Sequence, residues 1–249
     1  MKHQICRTVL AVAAVTAGLF LSACGLFHSA ADDVLDDAED AIATDSAAAN
    51  IKTAQFEYKF GDGKTATIRY QAPDKVRIDV LDDENSAVFC LEDEDSGWMY
   101  VGGEVADMTK EDVLEMHGAL LQTIPFQVDF QEIFTDAELL EGTEDVCGEE
   151  CKVVEAVFRY EPDFKAKFWI GEFTDLVRQF EIISEEGVST MQYFDFCTFD
   201  DDITLPSEMF HFSPDGSVKL SLVSFETNVE IPDYVFQKPE KYTATEGDK

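Results

Sequence analysis

From Ala54 to Asn228 the chain repeats one pattern: short stretches of alternating apolar and polar residues, separated by turn residues. A period of two is what a strand with one buried face requires. The stretches fall near 54–60, 64–71, 75–81, 86–92 and 97–101. They resume near 139–146, 151–160, 165–170, 176–183, 188–198, 207–212 and 217–228. Gly61-Asp62-Gly63, Pro73-Asp74, Asp82–Asn85, Glu185-Glu186-Gly187 and Pro214-Asp215-Gly216 supply turns. Connections this short predict one antiparallel sheet. A sheet of about a dozen strands must curl, and its concave face then needs a cover.

Two helical patterns are available as covers. Residues 24–50 read as an acidic tether and N-terminal helix, with Val34, Leu35, Ala38, Ala41 and Ile42 at helical spacing and Ser29 as a cap. A solvated acidic linker is the alternative. Thr109 opens the second helix, and Asp112 three residues on completes a capping box. Val113, Leu114, Met116, Leu120 and Leu121 form its apolar stripe. Segment 124–137 is aromatic and fits either helical turns or a covering loop. The folded domain is expected over 51–237, with a polar tail at 238–249.

The N-terminus carries an address. Lys2 and Arg7 precede a run from Val9 to Leu21 that is apolar but for Thr16 and Gly18. That run is shorter than the ~20 residues a membrane-spanning helix needs, and it has the form of a signal-peptide core. It ends in Leu21-Ser22-Ala23-Cys24-Gly25, which resembles the bacterial lipobox. The expectation is a signal peptide at 1–23, removed before Cys24, and a lipid on that cysteine anchoring the mature chain to a membrane. Gly25, in place of the aspartate that retains enterobacterial lipoproteins at the inner membrane, favours the outer membrane.

The net charge is −34, and the signal peptide contains no acidic residue, so the mature chain is more negative still. Such a chain is repelled by phosphate backbones and anionic head groups, which argues against nucleic acid as a partner. Twenty Phe in a chain with 45% hydrophobic residues argue against general disorder. Four cysteines follow Cys24, and an extracytoplasmic compartment permits disulfides. Cys147-Gly-Glu-Glu-Cys151 predicts a disulfide across a tight turn; Cys90 and Cys197 either pair or stand as small buried hydrophobes. The four His show no spacing that would complete a zinc site with these thiols. No Gly-x-Ser-x-Gly, His-Glu-x-x-His or P-loop is present. No catalytic residue, cofactor or metal is assigned, and the chain is expected not to be an enzyme.

Five motifs in order resemble the LolA-like family, the group often called outer-membrane lipoprotein-sorting proteins. They are the hairpin Lys64–Asp79 with its Pro-centred turn and Arg-containing strand, and Asp95-Ser-Gly-Trp-Met-Tyr100. The strand-turn-strand Gly142–Glu155, Ala166–Gly171 running into Leu176–Glu181, and the closing Ile231-Pro-Asp-Tyr-Val-Phe236 follow. The resemblance spans roughly 31–237. It implies a mainly β fold with covering helices: an unclosed antiparallel barrel of about eleven strands, with an apolar cavity under the helices for lipid or lipoprotein acyl chains. Ala72 departs from the arginine that precedes this proline in the proteobacterial carrier, and the anchor departs from that carrier's solubility. The resemblance therefore implies an anchored lipid-binding or lipoprotein-transport protein rather than a shuttle. The alternative is a non-enzymatic envelope scaffold or sensor whose barrel is filled by its own side chains.

Strand parity then names the cavity candidates. Phe158, Tyr160, Phe168 and Ile170 share one parity, opposite Arg159 and Lys167, so they are assigned inward. Phe180 and Ile182 follow, because Gln179 and Glu181 hold the polar parity. Trp98 and Tyr100 are added from one strand, and Leu114, Leu120 and Leu121 from the covering helix.

Overall fold

A computed structural model describes residues 29–81, 86–93, 95–110, 112, 113, 116, 124, 126, 129–159, 161–185, 187–199, 202–214 and 216–240. The signal peptide, Cys24, Gly25, Leu114, Leu120, Leu121, Tyr160 and the Asp82–Asn85 turn lie outside the described residues. No helix among the described residues is long and apolar enough to cross a membrane.

Two helices come first, α1 (Ala30–Ile42) and α2 (Asp45–Asn50). Ser29 caps α1 in a complete capping box: its Oγ accepts from Asp32 N–H, and Asp32 accepts from Ser29 N–H. Thr44 caps α2, so the single expected helix is broken at Ala43–Thr44. Six strands follow: β1 (Thr53–Phe60), β2 (Thr65–Gln71), β3 (Lys75–Leu81), β4 (Ala87–Leu91), β5 (Gly97–Val101) and β6 (Glu104–Asp107). After the short helix α3 (Phe130–Ile133) come β7 (Phe134–Val146), β8 (Glu149–Phe158), β9 (Glu161–Gly171) and β10 (Val177–Ser184). The last strands are β11 (Gly187–Phe199), β12 (Ile203–Ser213) and β13 (Gly216–Thr227).

All thirteen belong to one antiparallel sheet, ordered β6-β5-β4-β3-β2-β1-β13-β12-β11-β10-β9-β8-β7. Each hairpin pairs with the next, and the single long-range closure is β1 on β13, with Phe56 opposite Phe225. The edges, β6 and β7, do not meet, so the barrel stays open. The count exceeds the expected eleven. The sequence pattern gives twelve of these strands; the thirteenth, β6, follows the tight Gly102-Gly103 turn, and β7 begins early, at Phe134. β12 also begins earlier than its pattern suggests, at Ile203, and runs through Pro206.

Two packed clusters fill the concave side. One gathers Phe56, Tyr58, Ile68, Tyr70 and Leu91 from β1–β4 with Val113, Met116, Ile124 and Phe126 from the covering segment. The other gathers Phe158, Phe168, Ile170, Phe180 and Ile182 with Leu35 and Ala38 of α1 and Phe130 of α3.

The convex side has its own cover over β3–β5. Val88, Cys90 and Trp98 are buried there under Phe236, with Ile231 and Val235 beside it. Trp98 Nε1 donates to Phe236 O at 2.8 Å. Below it, Asp79 is 5% exposed and is clasped by Arg77 at 2.6 Å and Arg69 at 2.7 Å. Arg77 also donates to Val235 O at 2.7 Å, so the buried charges tie the C-terminal strap to the sheet.

Candidate functional site

The concave face is the place where the fold can receive a ligand. α1 lies across the β7–β10 half with Ala31, Val34, Leu35, Ala38 and Ile42 buried on its inner face. At its far end Glu39 reaches α3 and accepts the Phe130 N–H. Burial raises the Glu39 carboxyl to about 7; the Phe130 N–H pulls the other way, and Asp129, Asp36 and Asp45 add to the rise.

Beneath α1 the expected inward residues pack ring on ring. Phe168 lies 5.2 Å from Phe130, 5.2 Å from Phe134 and 4.9 Å from Phe180 between centroids. Phe158 sits 4.7 Å from Phe134. Phe158, Phe168, Ile170, Phe180 and Ile182 are therefore side-chain-packed in this structure rather than facing open space.

Trp98 and Tyr100 stand elsewhere. Met99, between them, takes the concave side, while both aromatics pack under the C-terminal strap on the convex side. Neither lines the concave face. β5 is buried on both faces there, so parity alone carries no direction.

The expected Cys147–Cys151 disulfide is absent; both thiols are free. Cys147 (φ 55°) and Gly148 (φ 87°) form a two-residue left-handed turn in which Val146 pairs with Glu149. Cys151 then opposes Glu144, not Cys147. Its side chain is buried with Val146, Val153 and Trp169, whereas Cys147 is exposed at the turn. Cys90 and Cys197 are unpaired as well: Cys90 donates to Phe236 O at 3.2 Å beneath the strap, and Cys197 is exposed on β11.

At the margin of the first cluster, some inward residues are only half-buried. Phe60, Tyr193, Val218, Leu220 and Leu222 share this state. Leu220 stands opposite Met209 and Phe60, Leu222 opposite Tyr58 and Tyr193 opposite Met209, so these residues of β1, β13 and β11 form one stripe on the concave face, with Met209 of β12 between them. At its upper end His211 is opposite both Met191 and Val218, and its Nε2 lies 2.8 Å from Ser189 Oγ. Burial lowers the His211 pKa, favouring neutral imidazole. Burial also raises the phenols of Tyr58 and Tyr193, with Tyr193 adding to the rise at Tyr58. Strand parity could have found the stripe, since β13 alternates as Val218-Lys219-Leu220-Ser221-Leu222, whereas β12, with Met209-Phe210-His211-Phe212, is aromatic or apolar on both faces.

An open antiparallel sheet curled around covering helices, with its first strand closed on its last, is the LolA-like fold. Solved structures place it there. A putative outer membrane lipoprotein-sorting protein domain from Vibrio parahaemolyticus superposes with TM-score 0.57 at 11% identity, covering 84% of this chain and 97% of its own. A DUF1329 family protein from Desulfovibrio piger gives 0.55 at 13% identity, over 80% and 95%. A LolA superfamily protein from Nitrosomonas europaea gives 0.53 at 12% identity, over 85% and 99%. At these identities the likeness is one of fold. No protein-family model and no curated protein matches the chain.

Proposed function

We propose that this chain is a lipid-anchored, extracytoplasmic binding protein. It holds lipid or lipoprotein acyl chains against the concave face of a LolA-like sheet, for transfer toward the outer membrane, and is not an enzyme. The observation that carries this reading is the half-buried apolar stripe Phe60, Val218, Leu220 and Leu222, on a face whose two flanks are packed shut. Apolar groups on an inward face that stay partly in water are stabilised by a ligand that covers them. The lipobox supplies the anchor and the envelope location. Native mass spectrometry of the purified protein tests the binding: lipid-sized adducts lost on delipidation are expected. Bare protein that takes up no fluorescent lipid would overturn it. Palmitate labelling of wild type and of Cys24→Ser tests the anchor; an unlabelled wild type would refute it.

A second reading has its own support. The ring cluster Phe130, Phe134, Phe158, Phe168 and Phe180 fills one half of the barrel with side chains, as a scaffold or sensor would. The same mass spectrum separates the two.

A further inference from the structure

We propose that Ser189 and His211 form the polar end of the binding stripe and hydrogen-bond an uncharged lipid head, of the acyl-ester or hydroxyl class, in preference to a phosphate head. The inference rests on the binding function above and names the chemistry of its ligand.

Placement is the main argument. Ser189 and His211 lie beside the β10–β11 and β12–β13 turns, at the rim of the sheet. Ser189 is opposite Ile182, and His211 is opposite Met191; both partners belong to the inward clusters. The pair therefore faces inward, on adjacent strands and 2.8 Å apart. Directly across from His211 is Val218, where the half-buried stripe starts. From there Leu220 and Leu222 run down β13 to Tyr58. Four residues of strand are about 13 Å long at ~3.3 Å each. A polar rim leading into an apolar run of that length has the polarity of a single-chain or double-chain amphiphile held by its tail.

Charge selects among heads. Strands β1, β2, β3, β9 and β13 put all their Lys and Arg at outward positions, opposite in parity to the inward clusters. Lys152 does hold an inward position, opposite Ile170 on β8, where it pairs with Asp175 at 3.7 Å, and Arg178, at the β10 bulge, pairs with Glu149 and lies 4.8 Å from the Phe196 ring. Both stand near the Ile170–Val177 end of these strands, away from Ile182 opposite Ser189. With His211 neutral, the rim offers hydrogen-bond donors and acceptors and, among the described residues, no counter-charge. A phosphate moved there from water would be desolvated without a cation, whereas an ester or hydroxyl would be satisfied. The chain's charge of −34 adds a general repulsion of anionic heads.

The test is extraction from phosphatidylcholine vesicles that carry either NBD-diacylglycerol or NBD-phosphatidylglycerol with matched acyl chains. Binding of 1-aminoanthracene, which has no lipid head, is measured alongside. Wild type is expected to take the diacylglycerol in clear preference. Ser189→Ala and His211→Leu should each lower diacylglycerol uptake about five- to tenfold, the loss of one hydrogen bond, with 1-aminoanthracene binding unchanged. Should His211→Leu unfold, Ser189→Ala decides. Equal uptake of the two lipids, or variants that take diacylglycerol as wild type does, would overturn the head assignment while leaving the binding function standing. Failure of wild type to bind either lipid or 1-aminoanthracene would remove both.

Discussion

The two halves of the sheet are covered differently. Strands β3–β5 are buried on both faces, by Val113, Met116, Ile124 and Phe126 on the concave side and by the Ile231–Phe236 strap on the convex side. Strands β8–β10 are covered on the concave side by α1 and α3; their convex face buries only the small patch Val146, Cys151, Val153 and Trp169 and keeps Lys167, Glu155 and Arg159 in contact with water. The sequences reflect this. β4 is a continuous apolar run, Ala87-Val-Phe-Cys-Leu91, whereas β9 alternates through Lys165-Ala-Lys-Phe168. On β4 continuous apolar character thus marks where the chain's own C-terminus returns over the sheet, and in the first half of β9 alternation marks where the convex face meets water.

The largest effects should come from the two cores themselves. Trp98→Ala, under the strap, and Phe168→Ala, under α1, should each lower stability by about 3–5 kcal/mol in denaturant titrations. A cost below ~1 kcal/mol for Phe168→Ala alone would mean that the α1-covered half is not a packed core, and would break the comparison. Somewhat smaller is Asp79→Ala, which leaves Arg69 and Arg77 facing each other beneath the strap; about 2–4 kcal/mol is expected from two half-buried cations without their carboxylate. A neutral result would show that the strap is held by Phe236 and Trp98 alone.

Smaller still is the effect of pH on the α1 side. The Glu39 carboxyl, usually near 4.5, stands at about 7 in the fold. Its contribution is therefore fully present below pH ~4.5 and lost as pH rises through about 7. Glu39→Gln keeps the acceptor for Phe130 N–H, so it should raise the melting temperature at pH 8 and leave it nearly unchanged at pH 4. Equal shifts at both pH values would remove Glu39 as the cause. The smallest energetic effect is expected of Cys147→Ser, within about 0.5 kcal/mol of wild type. Thiol labelling sharpens the contrast there: Cys147, exposed at its turn, should react in the native state. Cys90, buried under the strap with its thiol pushed up to about 12, should react only on unfolding. Native labelling of Cys90 at the rate of Cys147 would show that the strap opens.

Much of the architecture was legible in residues alone. The period of two, the Gly61–Gly63 and Pro73-Asp74 turns, Ser29 as the α1 cap and the Thr109–Asp112 box all reappear in the structure. These are local properties: side-chain alternation, turn chemistry and capping depend on a few neighbours along the chain. β6 and the start of β7 escaped notice because Glu104-Val-Ala-Asp107 is short and because the Phe residues of 124–137 recur every fourth position, at Phe126, Phe130 and Phe134, with no alternation to read.

Sequence by itself determined that this chain makes one curled antiparallel sheet with an amphipathic helix to cover it, and which residues of β8–β10 turn toward that helix. Only the tertiary structure decided the rest. It put Trp98 and Tyr100 on the convex side, because a strap from the far end of the chain covers a strand already buried on its other face. It separated Cys147 from Cys151, because a two-residue turn pairs Cys151 with Glu144. It also brought Ser189 and His211 to one rim above Leu220 and Leu222. Three strands supply that stripe, and which inward positions stay uncovered depends on where the helices end, not on any local pattern of residues.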